Sequence, residues 1–197
     1  MSEQVDYSRR RLLTAATALT GAVGAVLVAT PFLASWKPSA RAKAMGAPVE
    51  IDVSKLEAGA MLKVEWRGKP VWILRRTPAM LKQLEVAEPF LADPHSDGSI
   101  QPAYAKNEAR ALKPEYLVML GVCTHLGCSP LSKFEVADVT VSADWPGGFY
   151  CPCHGSKYDL SGRVFKGAPA PSNMTVPPYT FLTDGKILVG ADSAATV

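Results

Sequence analysis

The sequence predicts a mainly β protein: an antiparallel head with a small subdomain at one tip, preceded by a single N-terminal transmembrane helix. Three observations carry that expectation. Residues 12–36 contain no charged side chain. From residue 49 onward, short apolar runs alternate with turn residues at hairpin spacing. All four cysteines and two of the three histidines fall in two short loops, 123–128 and 151–158, each entered from an apolar, strand-like run.

In chain order, residues 1–11 end in Ser8-Arg9-Arg10-Arg11-Leu12-Leu13, which resembles a twin-arginine export signal. The segment is expected to stay in the cytoplasm. Residues 12–36 form the anchor. As a helix they would span roughly 37 Å at about 1.5 Å per residue, enough for a ~30 Å hydrocarbon core. Trp36 and Lys37 stand where an interfacial anchor belongs, and Pro31 should kink the helix near its end. The apolar run exceeds the roughly 7–15 residues of a cleaved signal, so the helix reads as retained. Residues 37–48, rich in Ala, Pro and Gly, have linker composition and read as a flexible hinge.

Charge separates the two parts. The chain carries +3. Residues 1–45 hold Arg9, Arg10, Arg11, Lys37, Arg41 and Lys43 against Glu3 and Asp6, a net of +4, which leaves −1 on the remainder. The head therefore lacks the basic stripe that nucleic acid would require, and nucleic-acid binding is excluded as a function class.

The head, residues 49–197, opens with a weakly alternating strand at 49–53. A hairpin follows, 61–66 with 71–75, turning at Arg67-Gly68-Lys69. Thr77-Pro78 is a helix start, with Met80, Leu81 and Leu84 on one face. Residues 88–114 read as an irregular surface loop that carries His95 in a turn. The apolar run 116–122 suits a buried strand delivering the first Cys/His loop, and Phe149-Tyr150 delivers the second. Residues 129–150 look like an insertion loop. Near the C-terminus, 179–183 and 186–190 flank Asp184-Gly185, a pair suited to a type I′ turn.

The two loops read Cys123-Thr124-His125-Leu126-Gly127-Cys128 and Cys151-Pro152-Cys153-His154-Gly155-Ser156. Four Cys/His ligands most often mean structural zinc. The spacing argues for something else. Taking Cys123 with His125 and Cys151 with His154 leaves Cys128 and Cys153, one per loop, a pair that suits a disulfide tying the loops together. Two thiolates with two imidazoles is the ligation of a Rieske [2Fe–2S] centre, in which histidine replaces cysteine on one iron and raises the reduction potential to roughly −150 to +300 mV.

These loops resemble those of Rieske iron–sulfur proteins, specifically the disulfide-containing kind found in cytochrome bc complexes. Gly167-Ala168-Pro169-Ala170-Pro171 resembles the family's proline-rich loop beside the cluster. The resemblance implies one [2Fe–2S] cluster, with Cys123 and Cys151 on the inner iron and His125 and His154 on the outer. It implies that Ser156 and Tyr158 donate hydrogen bonds to a bridging sulfide and to the first cysteine's sulfur. Leu126 would shield the cluster, while Gly127 and Gly155 would let backbone N–H groups approach the sulfurs. Cys128–Cys153 would clamp the loops. His154, with His125 also exposed, would be the hydrogen-bond partner of a quinol.

The implied function is electron transfer in a ubiquinol–cytochrome c oxidoreductase. One electron passes from ubiquinol at cytochrome b to a c-type cytochrome, with protons released to the periplasm. A structural disulfide persists in an oxidising compartment, so the head is expected on the periplasmic side of the bacterial inner membrane. Two alternatives stand beside this reading. One is a membrane-tethered Rieske subunit of another periplasmic oxidoreductase of the arsenite-oxidase type; the other is a zinc- or disulfide-stapled binding module.

Overall fold

Asp6 starts the first helix: its carboxylate accepts the N–H groups of Ser8 and Arg9, filling two of the donors a helix start leaves open. This computed structural model describes residues 6–191, so residues 1–5 of the expected cytoplasmic segment and 192–197 of the expected head lie outside the described residues. Helix α1 spans Tyr7–Ser35, beginning ahead of the arginines and continuing through Pro31. None of its side chains is buried, and it is long and apolar enough to cross a membrane. Thr14, Thr17, Thr20 and Thr30 each donate their hydroxyl to the carbonyl four residues back. An apolar surround would meet no unpaired hydroxyl at those four positions.

The segment expected to be a flexible hinge contains a short helix, α2 (Ala40–Met45), whose start Ser39 caps through Ala42 N–H. The chain divides into two compact units between Ala44 and Met45.

Among the described residues the second unit holds three antiparallel sheets of three strands each. β1 (Val49–Asp52) pairs with β9 (Lys186–Val189), which pairs with β8 (Tyr179–Thr183). β2 (Met61–Trp66), β3 (Lys69–Arg75) and β4 (Tyr116–Leu120) form the central sheet. β5 (Leu131–Lys133), β6 (Gly148–Tyr150) and β7 (Lys157–Tyr158) form the third. Helix α3 (Pro78–Ala87) starts at Thr77, whose hydroxyl accepts Met80 N–H.

Strands β3 and β4 of the central sheet are buried on both faces, which is why β4 is an unbroken apolar run. Val71, Ile73, Val118 and Leu120 face the first sheet through Ile51, Val53, Val176, Ile187 and Val189. On the other face Trp72, Leu74, Leu117 and Met119 pack with Leu84 of α3 and with Phe149, Tyr158, Leu160 and Met174. Cys123 and Cys151 belong to that second core. The two Cys/His loops thus leave from the ends of buried strands, and their first residues are held by close packing.

Three local expectations need correction. The β8–β9 turn is not type I′, because neither Asp184 nor Gly185 takes the left-handed conformation which that turn requires. Instead the Gly185 carbonyl accepts Val53 N–H, the turn lies against Ser54, and a register shift between Phe181 and Thr183 absorbs the twist. The left-handed pair is Arg67-Gly68, with φ of 53° and 70°, at the β2–β3 turn. Residues 88–114 are irregular but not superficial, since Leu91, Ser96, Ala105, Arg110 and Ala111 are buried. The 129–150 segment is part of the fold as well. It supplies β5, and Trp145 is buried with its indole N–H on the Lys133 carbonyl.

Candidate metal centre

The two loops are built on one backbone plan. Cys123 N–H donates to the Cys128 carbonyl and Gly127 N–H to the Cys123 carbonyl; Cys151 N–H donates to Ser156 and Gly155 N–H to Cys151. The fourth residue after each leading cysteine is a glycine with positive φ, 84° at Gly127 and 78° at Gly155, a conformation that only glycine adopts without strain. These glycine N–H groups are consumed by the cysteine carbonyls. The amides that lie against the sulfurs are those of His125 on Cys123, and of Cys153 and His154 on Cys151. The glycines therefore shape the loops, and the neighbouring residues supply the donors.

Depth sorts the candidate ligands. Cys123 and Cys151 are free and buried, with their thiols in mutual contact. His125 is half-buried and His154 exposed, and their rings meet edge to face with centroids 4.8 Å apart. Cys128 and Cys153 form a disulfide joining the loops across 25 residues, with Cα atoms 6.8 Å apart. The sulfurs of that disulfide and of Cys151 lie within 4.8 Å of one another. Leu126 stands at the loop tip, 71% exposed. His95 is exposed in its turn, remote in sequence from both loops.

Tyr158, fully buried on β7, reaches the first loop with its phenol oxygen. That oxygen lies 3.1 Å from Cys123 Sγ, 3.1 Å from Thr124 N, which donates to it, and 3.2 Å from Thr124 Oγ1. The Thr124 hydroxyl gives its one proton to the Ser172 carbonyl at 2.6 Å. The phenol's single proton therefore has two acceptors within reach, Thr124 Oγ1 and the Cys123 sulfur, and negative charge on the sulfur draws it there. Ser156, also buried, accepts Ala170 N–H at 3.1 Å and so keeps its own proton to give. Thr124 and Ser156 thereby tie the proline-rich segment to both loops. Thr124 was not recognisable from sequence, because its partners, Tyr158 and Ser172, lie 34 and 48 residues away.

These contacts set the protonation of the two thiols. Burial raises the Cys123 pKa, but hydrogen bonds from Tyr158, the His125 amide, Cys151 and Ser156 outweigh it and bring the thiol below its ordinary value. Burial, reinforced by the neighbouring Cys123, pushes Cys151 up. Burial and the Cys123 sulfur also push the Tyr158 phenol up, so it stays a proton donor at neutral pH. Cys123 is the thiol that ionises first.

The donor set can be tested against what it would hold. Ligands of one tetrahedral zinc lie about 4 Å apart, given metal–ligand bonds of about 2.0–2.3 Å. Among the described residues, no three ligand atoms that mix the free thiols with the imidazoles lie within 4.8 Å of one another. Two buried sulfurs beneath two imidazoles nearer the surface make a donor set that fits a dinuclear group. In such a group one metal takes both sulfurs and the other both nitrogens.

Comparison with known proteins gives the family. A family model described as "Rieske [2Fe-2S] domain" matches residues 48–180, and one described as "Ubiquitinol-cytochrome C reductase Fe-S subunit TAT signal" matches residues 1–39. The ubiquinol-cytochrome c reductase iron-sulfur subunit of Allochromatium vinosum is 55% identical over 193 residues, covering 98% of this chain and 93% of that protein. The protein of the same name from Blastochloris viridis is 43% identical over 195 residues, covering 98% of each. Among solved structures, a chain of a hyperthermophilic respiratory Complex III is 27% identical with a TM-score of 0.46. That match covers 88% of this chain and 98% of the other.

Proposed function

The chain belongs to the Rieske iron–sulfur family, and from that membership we propose that it takes one electron from ubiquinol at the quinol-oxidation site of cytochrome b and delivers it to a c-type cytochrome. It is a subunit of a quinol–cytochrome c reductase and carries a [2Fe–2S] cluster. Cys123 and Cys151, as thiolates, and His125 and His154, toward solvent, would hold that cluster. The observation that carries this assignment is the paired loops, with two buried thiols in contact beneath two imidazoles that meet at the surface. When bound, a cluster ligated in this way supplies a one-electron acceptor of high potential.

The chain's own residues do the rest. His154 presents its free ring nitrogen to the quinol hydroxyl and takes its proton, while Leu126 and Pro152, exposed beside the histidines, give the site an apolar rim. Tyr158 and Ser156 hold protons toward the Cys123 sulfur, which would stabilise an electron-rich state of the bound group. The disulfide keeps the loops closed over the thiols. The quinol's second electron leaves through cytochrome b, and its protons go to the periplasm. Helix α1 anchors the subunit in the bacterial inner membrane with the head on the periplasmic side, and residues 37–48 act as the hinge on which the head moves between its two redox partners.

The test is solubilisation of the full-length tagged chain from its native membrane. Co-purification of b- and c-type haem with ubiquinol–cytochrome c reductase activity is expected. Recovery with a molybdenum subunit and no b haem would overturn the assignment in favour of another Rieske oxidoreductase.

A further inference from the structure

Directly after Tyr158, the chain turns through Asp159-Leu160-Ser161-Gly162-Arg163. The charged side chains buried among the described residues are Asp159 and Arg163 of this turn, with Arg76 and Arg110 from outside it. Asp159 is satisfied within the turn: Oδ1 accepts the N–H groups of Ser161 and Arg163, and Oδ2 accepts Arg163 Nε at 2.7 Å. The other two guanidiniums reach the outer side of the turn and bond neutral groups. Arg76 donates to the Leu160, Ala109 and Pro114 carbonyls and to Ser161 Oγ. Arg110 donates to the Ser161 and Gly162 carbonyls and to Gln101 Oε1, and its Nε has no partner. Among the described residues neither Arg76 nor Arg110 forms an ion pair.

Three buried cations against one buried anion is an expensive arrangement. Uncompensated charge in a protein interior costs several kcal/mol, and apolar residues of similar volume commonly replace buried ionic groups without loss of stability. Packing therefore does not account for this cluster. Its position does. Gly162 packs against Met119 and Met174, which belong to the same apolar core as Cys123, Cys151 and Tyr158. The guanidiniums are buried beside that core and away from water, so their field is weakly screened. Burial brings Arg76 and Arg110 down to about 10, and both remain charged at neutral pH.

We propose that Arg76 and Arg110, with the Asp159–Arg163 pair, form a buried positive pole that raises the reduction potential of the centre held by Cys123, Cys151, His125 and His154. The pole favours the state carrying one more electron, by charge rather than by a hydrogen bond to the ligands. Arg76 and Arg110 are positioning residues for potential and touch neither substrate nor ligand. The inference rests on the ligand assignment proposed above.

Potentiometric titration of the full-length holoprotein, followed by EPR, separates charge from structure by sign. Arg76→Met should lower the midpoint, Arg76→Lys should restore it, and Asp159→Asn, which removes the one anion while keeping an acceptor, should raise it. A drop in both Arg76→Met and Asp159→Asn, or no shift in either with cluster content preserved, would overturn the proposal. Should Arg76→Met fail to retain the cluster, the direction of the Asp159→Asn shift decides alone, and a fall or no change refutes it. Absence of any [2Fe–2S] signal from the wild-type holoprotein would instead strike the ligand assignment.

Discussion

Replacing Tyr158 with phenylalanine removes one oxygen that serves three contacts, with Cys123 Sγ, Thr124 N and Thr124 Oγ1. With the Thr124 hydroxyl donating to Ser172, the phenol proton has Thr124 Oγ1 and Cys123 Sγ as acceptors, and the bond to the sulfur strengthens as the sulfur gains negative charge. Hydrogen bonds to charged groups contribute about 1.5–3 kcal/mol. If about 1–1.5 kcal/mol of this is gained only on reduction, the midpoint of Tyr158→Phe falls by roughly 40–65 mV, because about 1.4 kcal/mol corresponds to 59 mV for one electron. Stability falls too, because the Thr124 N–H is left without its acceptor, at a cost of about 1–3 kcal/mol. An EPR-monitored redox titration reads the first effect and a thermal melt the second. A variant that keeps its cluster, melts lower and shows the wild-type midpoint would refute the hydrogen-bond argument while leaving the packing role intact.

Cys153→Ser opens a 25-residue loop, which in the chain-entropy treatment lowers stability by about 3.5 kcal/mol. Denaturant unfolding of the oxidised holoprotein should show an earlier transition, and an unchanged midpoint would mean the clamp is redundant. Asp138, held by Thr140 and Lys133, is pulled down to about 2 from 3.8. A lowered folded-state pKa means its contribution is complete above about 3.8 and lost as pH falls through about 2. Hydrogen exchange across 134–145 should therefore accelerate in that window in the wild type, and Asp138→Asn should lack the transition. Gly148 has φ of 153°, and an added Cβ would overlap the Tyr158 carbonyl, so Gly148→Ala should break the β6–β7 pairing and lower Tm. A wild-type melting temperature would show that the strand can move aside.

Features whose cause is local were legible in the sequence. The Thr77-Pro78 helix start, the β2–β3 hairpin and the all-apolar β4 follow from capping, turn chemistry and burial on both sides, and each appears where expected. The Cys/His loops were legible because metal-ligand types at short spacing are rare by chance. What escaped was long-range. Arg76 bonds across 84 residues to Leu160, Arg110 across 51 to Ser161, and Arg163 across 79 to Leu84. Such side-chain-to-carbonyl bonds leave no periodicity, so 88–114 read as surface although it carries part of the polar core. Trp145 hid in the same way, inside a segment whose Asp, Pro and Gly content signals a loop. The Asp184-Gly185 pair misled because its turn type is set by the neighbouring Ser54 and by the Val53 hydrogen bond, which are absent from the local sequence.

The central claim is that Cys123, His125, Cys151 and His154 hold a high-potential [2Fe–2S] cluster whose histidines exchange protons with quinol. An EPR redox titration of the full-length chain, run at neutral and at alkaline pH, tests it most directly. The account predicts an ascorbate-reducible [2Fe–2S] signal whose midpoint falls as pH rises above neutrality. A signal that needs dithionite and does not move with pH, or bound zinc without iron in an iron-replete preparation, would contradict it.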